Sequence, residues 1–160
     1  MSLHTISVFV ENHSGTLSRI AGLFSSRGYN IESLTVAETE DPTMSRMTIV
    51  VGGDEDIIEQ VVKQLNRLID VIKVIDLSNE QIVERELTLT RVSATNSTRH
   101  EIATIVTLFG GKIVAVSPTS VTVELTDTSS KIDDFISVIR PFGIKELIRT
   151  GKIALAQVKK

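Results

Sequence analysis

The strongest constraint on this chain is an order of hydrophobic periods that runs through once and then repeats. Ile6, Val8 and Val10 alternate with Ser7, Phe9 and Glu11, the period of two that a strand requires. Asn12-His13-Ser14-Gly15 interrupts the run with turn-forming residues. Leu17, Ile20, Ala21 and Phe24 then recur at helical spacing, and Gly28 is placed to stop the helix. Ile31 to Glu38 reads as extended, and Glu40-Asp41-Pro42-Thr43 as a turn. Met47, Ile49 and Val51 alternate with Arg46 and Thr48 in a further strand, ended by Gly52-Gly53. Asp54-Glu55-Asp56 opens a second helix, where negative charge complements the N-terminal dipole. Its apolar face is expected to carry Ile58, Val61, Val62, Leu65 and Ile69, with a short aliphatic strand at 71–77. This β-α-β-β-α-β order is the split βαβ plan of a ferredoxin-like domain.

The order then returns. Leu87, Leu89 and a run to Ala94 mark a strand; Ile102, Val106 and Phe109 mark a helix ending at Gly110-Gly111. Ile113–Val116 and Val121–Leu125 flank Ser117-Pro118-Thr119-Ser120 as a hairpin. Ile132, Phe135, Ile136 and Ile139 mark a helix limited by Pro141, and Ile144–Ile148 is extended. The fold class is therefore α+β, two ferredoxin-like domains in tandem, expected at 1–78 and 79–160 on either side of the polar stretch Ser78-Asn79-Glu80-Gln81. A domain this small buries a modest fraction of its surface, so pairing of sheets in a homodimer is the economical way to complete it.

Composition narrows the function classes. The chain is 41 % hydrophobic but only 4 % aromatic, so its cores are aliphatic. A net charge of −3 argues against a nucleic-acid partner, which would call for a basic face. The absence of cysteine excludes disulfides, thiolate metal sites and a cysteine nucleophile. No apolar run is long enough for a membrane span and no targeting signal is read at the start, so the expected location is the cytoplasm.

The first strand-to-helix turn, Glu11-Asn12-His13-Ser14-Gly15-Thr16-Leu17-Ser18-Arg19, is the most informative spot. A helix N-terminus presents unpaired N–H groups and partial positive charge, which suits a carboxylate. Gly15 lets a ligand approach without a Cβ in the way, and Asn12 offers both a donor and an acceptor. Taken by themselves, these residues are as well or better explained as a helix cap and a turn. Asn30, at the start of a strand, reads evenly as a site residue or as a turn residue.

A longer block adds to this reading. Asn12-His13-Ser14-Gly15-Thr16-Leu17-Ser18-Arg19, Gly22-Leu23-Phe24 and Arg27-Gly28-Tyr29-Asn30-Ile31-Glu32-Ser33-Leu34-Thr35-Val36 closely resemble the small, regulatory subunit of acetohydroxyacid synthase (acetolactate synthase). Asp41-Pro42, Ser45-Arg46-Met47-Thr48-Ile49, Gln64-Leu65 and Val83-Glu84-Arg85-Glu86-Leu87 extend the resemblance over essentially the whole chain. It implies an N-terminal ACT domain at 1–78 that dimerises and binds valine, with leucine and isoleucine as alternatives, between protomers. It nominates Asn12, Gly15 and Leu17 from one subunit and Asn30 and Ile31 from the other as effector-binding residues, with Ser18 and Ala37 in a second tier. His13 departs from the acidic or small residue expected there. The segment 79–160 is then the C-terminal ferredoxin-like domain of such a subunit, contributing to dimerisation and to contact with the catalytic (large) subunit. The implied role is non-catalytic: the chain activates its partner in valine, leucine and isoleucine biosynthesis and confers feedback inhibition. An alternative is a free-standing ACT-type amino-acid sensor acting on another enzyme or a transcription factor.

No enzyme site is read in the chain. Thiamine diphosphate, magnesium and FAD are expected in the catalytic partner, and no cofactor, metal or catalytic residue is expected here. Gly52-Gly53 and Gly110-Gly111 read as turns rather than phosphate loops. His4, His13 and His100 lie in separate segments without metal-ligand spacing, and His100-Glu101 reads as a solvated pair. Asp133-Asp134 lie on a helix, where neighbours point apart.

Overall fold

A computed structural model describes residues 2–158. Its elements run β1 (Leu3–Glu11), α1 (Thr16–Arg27), β2 (Asn30–Glu38), β3 (Met44–Gly52), α2 (Glu55–Asn66), β4 (Val71–Asp76), β5 (Ile82–Ser93), α3 (Arg99–Leu108), β6 (Lys112–Val116), β7 (Ser120–Asp127), α4 (Ser129–Ile139), β8 (Ile144–Arg149) and β9 (Ile153–Ala156). The chain forms two compact units. The first runs to Val83 and takes in the chain again from Lys152; the second is Glu84–Gly151. Each is a βαββαβ cycle, and among the described residues no helix is long and apolar enough to cross a membrane.

In the first unit the sheet order is β2-β3-β1-β4, all neighbours antiparallel. Ile6 lies opposite Ile49 and Val8 opposite Met47, and these four are fully buried with Val10 and Val51. Ile20 and Phe24 from α1, and Ile58, Val61 and Leu65 from α2, complete this core. Burying each such side chain is worth about 1.5–3 kcal/mol. Both helices have local reasons to begin and end. Asp54 caps α2 by accepting the Ile57 N–H at 2.9 Å, and Glu55 and Asp56 follow in its first turn. Gly28 ends α1 with φ 68°, and Tyr29 N–H returns to Phe24 O at 3.0 Å.

One expected member of the α2 face is displaced. The helix stops at Asn66, so Ile69 lies in the following turn, where it is 90 % exposed rather than packed. The second face of this sheet is not left to water either. Ser7 is fully buried, its Oγ accepts the Arg46 Nε–H at 2.8 Å, and the Arg46 guanidinium stacks 4.8 Å over Phe9. Arg46 Nη2 also donates to Ala154 O, and Gln157 N–H to Gln81 O. These contacts tie the segment after Lys152, expected in the second domain, to the first unit instead. Nothing in the alternation of the first strand reveals a strand returning from the far end of the chain.

The second unit repeats the order as β6-β7-β5-β8. Ile102 and Val106 of α3, and Ile132, Phe135, Ile136 and Ile139 of α4, pack on Val92, Val121, Val123 and Leu125. Phe109 meets Phe135 edge to face at 5.4 Å. The residues that mark β5 in the sequence, Leu87 and Leu89, are not its core face. Glu86, Thr88, Thr90 and Val92 are, with Thr88 opposite Leu125 and Thr90 opposite Val123. Thr88 satisfies its hydroxyl on Leu125 O, whereas the Thr90 Oγ1 is buried without a partner among the described residues. Glu86, 5 % exposed, is held by the Arg149 guanidinium (Nε 2.6 Å) and by Ser129 Oγ at 2.7 Å. Burial pushes its carboxyl up, but these donors outweigh that and hold it below the ordinary glutamate value.

Candidate functional site

The β1–α1 turn starts α1 without a side-chain cap. Gly15 sits at the helix N-cap with φ 88°, a conformation open to glycine and costly for other residues. It has no side chain to cap the helix, and none of its neighbours supplies one. Thr16 N–H reaches back to His13 O, and Arg19 N–H makes the first helical bond to Gly15 O. The N–H groups of Leu17 and Ser18 between them have no acceptor among the described residues. They lie at the positive end of the α1 dipole.

Asn12 lies beside them. Its backbone N–H is fixed by Thr43 O at 2.8 Å, and its side-chain Nδ2 donates to Glu38 Oε1 at 3.1 Å and to Pro42 O at 3.0 Å. The amide oxygen is thereby turned away from these partners, and the Glu38 carboxylate is drawn next to the turn. Sequence reasoning missed Glu38: it lies 26 residues from Asn12 and adjoins it only because β2 ends where β1 ends. Leu17 is 43 % exposed, an apolar surface presented to solvent on the first turn of α1; Ser18, next to it, and Ala37, next to Glu38 on β2, are also exposed.

Asn30 and Ile31 are not part of this cluster within one chain. Asn30 pairs with Gly52 at one end of β2, and Glu38 pairs with Ser45 at the other. Eight residue-to-residue steps of strand separate them, roughly 26 Å at about 3.3 Å per step. Asn30 is exposed and donates to Glu32 Oε1, and Ile31 is half-buried against the core. A groove of about 480 Å³ opens beside them, lined by Gly28, Tyr29, Asn30, Gly53, Asp54 and Ile57.

Comparison with known proteins decides the family. Residues 6–73 match the AHAS small subunit-like ACT domain, and residues 85–158 match the small subunit of acetolactate synthase. The chain belongs to the acetolactate synthase small-subunit family. It is 52 % identical over 155 residues to the probable acetolactate synthase small subunit of Methanothermobacter thermautotrophicus, covering 96 % of this chain and 92 % of that one. It is 48 % identical over 156 residues to the acetolactate synthase small subunit of Haemophilus influenzae, covering 97 % and 96 %. The crystal structure of the Thermotoga maritima acetolactate synthase small subunit superposes with a TM-score of 0.91 at 37 % identity, over the full length of both chains. The ACT-domain match covers both the β1–α1 turn and the start of β2, and so the two places where the sequence put effector-binding residues.

Proposed function

We propose that this chain is the non-catalytic regulatory subunit of an acetolactate synthase, and that it binds valine between two copies of itself. The observation that carries the reading is the separation of the two residue groups along β2. β2 is an edge strand, and among the described residues no other strand pairs with it on the side away from β3. If two β2 edges pair antiparallel about Leu34, Asn30 of one copy falls opposite Glu38 of the other, beside Asn12 and the open N–H groups of Leu17 and Ser18. A zwitterionic amino acid fits that junction. Its carboxylate takes the helix N-terminus; its ammonium takes Glu38 and the Asn12 amide oxygen. Leu17 and Ile31 offer apolar walls for a branched side chain. Discrimination among valine, leucine and isoleucine would be weak, since one methylene is worth about 1–3 kcal/mol.

By linkage, valine inhibits only if it binds the less active arrangement of the synthase complex more tightly. The chain is then expected to raise the activity of its catalytic partner and make that activity valine-sensitive. The two-copy site has a sharp test. Asn12→Ala and Asn30→Ala should each abolish valine binding in calorimetry. Co-expression of the two variants should restore about a quarter of the sites, because half of the dimers are mixed and each of these carries one intact site. No restoration would refute a shared site. A native complex whose acetolactate formation ignores valine would refute the regulatory reading.

A further inference from the structure

A second cluster lies behind the same turn. Glu11 ends β1, His13 sits in the β1–α1 turn, and Asp70 sits in the turn before β4. One ligand atom from each, a histidine nitrogen and two carboxylate oxygens, lies within 4.8 Å of the others. His13 Nε2 is 2.9 Å from Glu11 Oε2 and 3.4 Å from Asp70 Oδ1. The Asp70 side chain is 5 % exposed, so its Oδ1 is an inner carboxylate oxygen aimed at the cluster; Arg19 engages only the other oxygen, Oδ2.

Thr16 orients the His13 ring. Its Oγ1 donates to Glu11 O at 3.1 Å and lies 3.4 Å from His13 Nδ1, which leaves Nε2 as the nitrogen facing the two carboxylate oxygens. Nε2 is hydrogen-bonded to Glu11 Oε2 at 2.9 Å, and a divalent cation would take the place of the proton between them. Arg19 holds the Oδ2 oxygen of Asp70 and leaves Oδ1 to the cluster.

We propose that Glu11, His13 and Asp70 bind a divalent transition-metal ion of the zinc class. The donor set of one imidazole and two carboxylates suits Zn²⁺, Co²⁺ or Ni²⁺ rather than the all-oxygen cages of Ca²⁺ or Mg²⁺. Tetrahedral zinc with ligands near 2.05 Å sets donors about 3.4 Å apart, and the 3.4 Å from His13 Nε2 to Asp70 Oδ1 already matches that value. Glu11 and His13 are about half exposed, which leaves room for water in the fourth position. Thr16 on Nδ1 and Arg19 on Asp70 Oδ2 stand where outer-sphere partners orient metal ligands. A bound ion would clamp the end of β1, the β1–α1 turn and the turn before β4 together. The site stands independently of the valine reading.

The test is calorimetric titration of Zn²⁺ into the chelator-treated full-length chain, with Co²⁺ absorption as a second readout of the coordination shell. Uptake of about one ion per chain is expected, given one cluster in each. His13→Gln and Glu11→Gln should each weaken it by more than the 10- to 100-fold that loss of an outer-sphere partner costs. Both positions are half exposed, so these variants should keep the native circular dichroism spectrum. His4→Gln and His100→Gln should bind as the native chain does. No uptake by the native chain, or equal uptake by His13→Gln, would overturn the proposal.

Discussion

Replacing Gly15 separates two costs that the β1–α1 turn imposes. Gly15 has φ 88°, so any Cβ there is strained by about 1–3 kcal/mol. The new Cβ would also lie 3.3 Å from Arg19 Nη1, the far end of a flexible side chain, which can yield. Gly15→Ala and Gly15→Asp should therefore both melt lower, by about 2–4 °C for each kcal/mol in a chain of this size. Only the aspartate adds charge. A carboxylate about 5 Å from that of bound valine costs about 3 kcal/mol at an effective dielectric constant of 20. Arg19, close to the new side chain, and the solvent around an exposed turn offset part of it. The expected result is a valine affinity ten- to a hundredfold weaker for Gly15→Asp than for Gly15→Ala, or about 1.4–2.8 kcal/mol. Calorimetry on the two variants, each checked by thermal melting, reads the difference directly. If both bind valine alike, the ligand carboxylate is not at this helix N-terminus and the site assignment falls.

The other expectations concern stability. Thr90→Val replaces a buried hydroxyl that has no partner with a methyl group of the same shape, and should stabilise the protein by about 1 kcal/mol in urea unfolding; a loss of stability would mean that the hydroxyl is satisfied. Phe135→Ala empties the middle of the second core and should cost about 3–5 kcal/mol, read by calorimetry as a lowered transition for Glu84–Gly151 with valine binding retained. Asp54→Ala removes the α2 cap and should cost about 1 kcal/mol in the first unit, measured by urea unfolding against the native chain. Glu86 has a folded value below its unfolded one, so its contribution is present above about pH 4.5 and fades as the pH falls through the folded value. Glu86→Gln should thus be less stable at neutral pH and lose less stability on acidification, checked by denaturant midpoints across a pH series.

Much of the fold was legible because local chemistry and global packing agree. The alternation of Ile6, Val8 and Val10, the cap at Asp54, the stop at Gly28 and the run of Ile132, Phe135, Ile136 and Ile139 each have the structural role that their period suggests. Where reading went astray, an element's end or a distant strand decided. Ile69 keeps helical spacing from Leu65, but α2 ends before it. In β5 two threonines face the core while Leu89 is 39 % exposed, because a strand's register follows its partners β7 and β8 rather than the hydrophobicity of one strand.

The site divides along the same line. The placement of Asn12, Gly15 and Leu17 in the β1–α1 turn was readable because a strand, a glycine and a helix start are all local. Their partners were not. Glu38 reaches Asn12 across 26 residues, Pro42 across 30, and Asp70 reaches Arg19 across 51. Each comes from a loop or strand end that the βαββαβ winding brings to one end of the sheet, where β1 and α2 both deliver their chain ends. That end therefore gathers both proposed sites: the first helix N–H groups of α1 offered to a carboxylate, and the Glu11, His13 and Asp70 cluster offered to a cation. Both share the short turn from Glu11 to Arg19, so a charge placed on either side changes the field at the other. Valine affinity measured with and without Zn²⁺ should accordingly differ, the metal strengthening binding of the carboxylate; identical affinities would mean that the turn insulates the two sites.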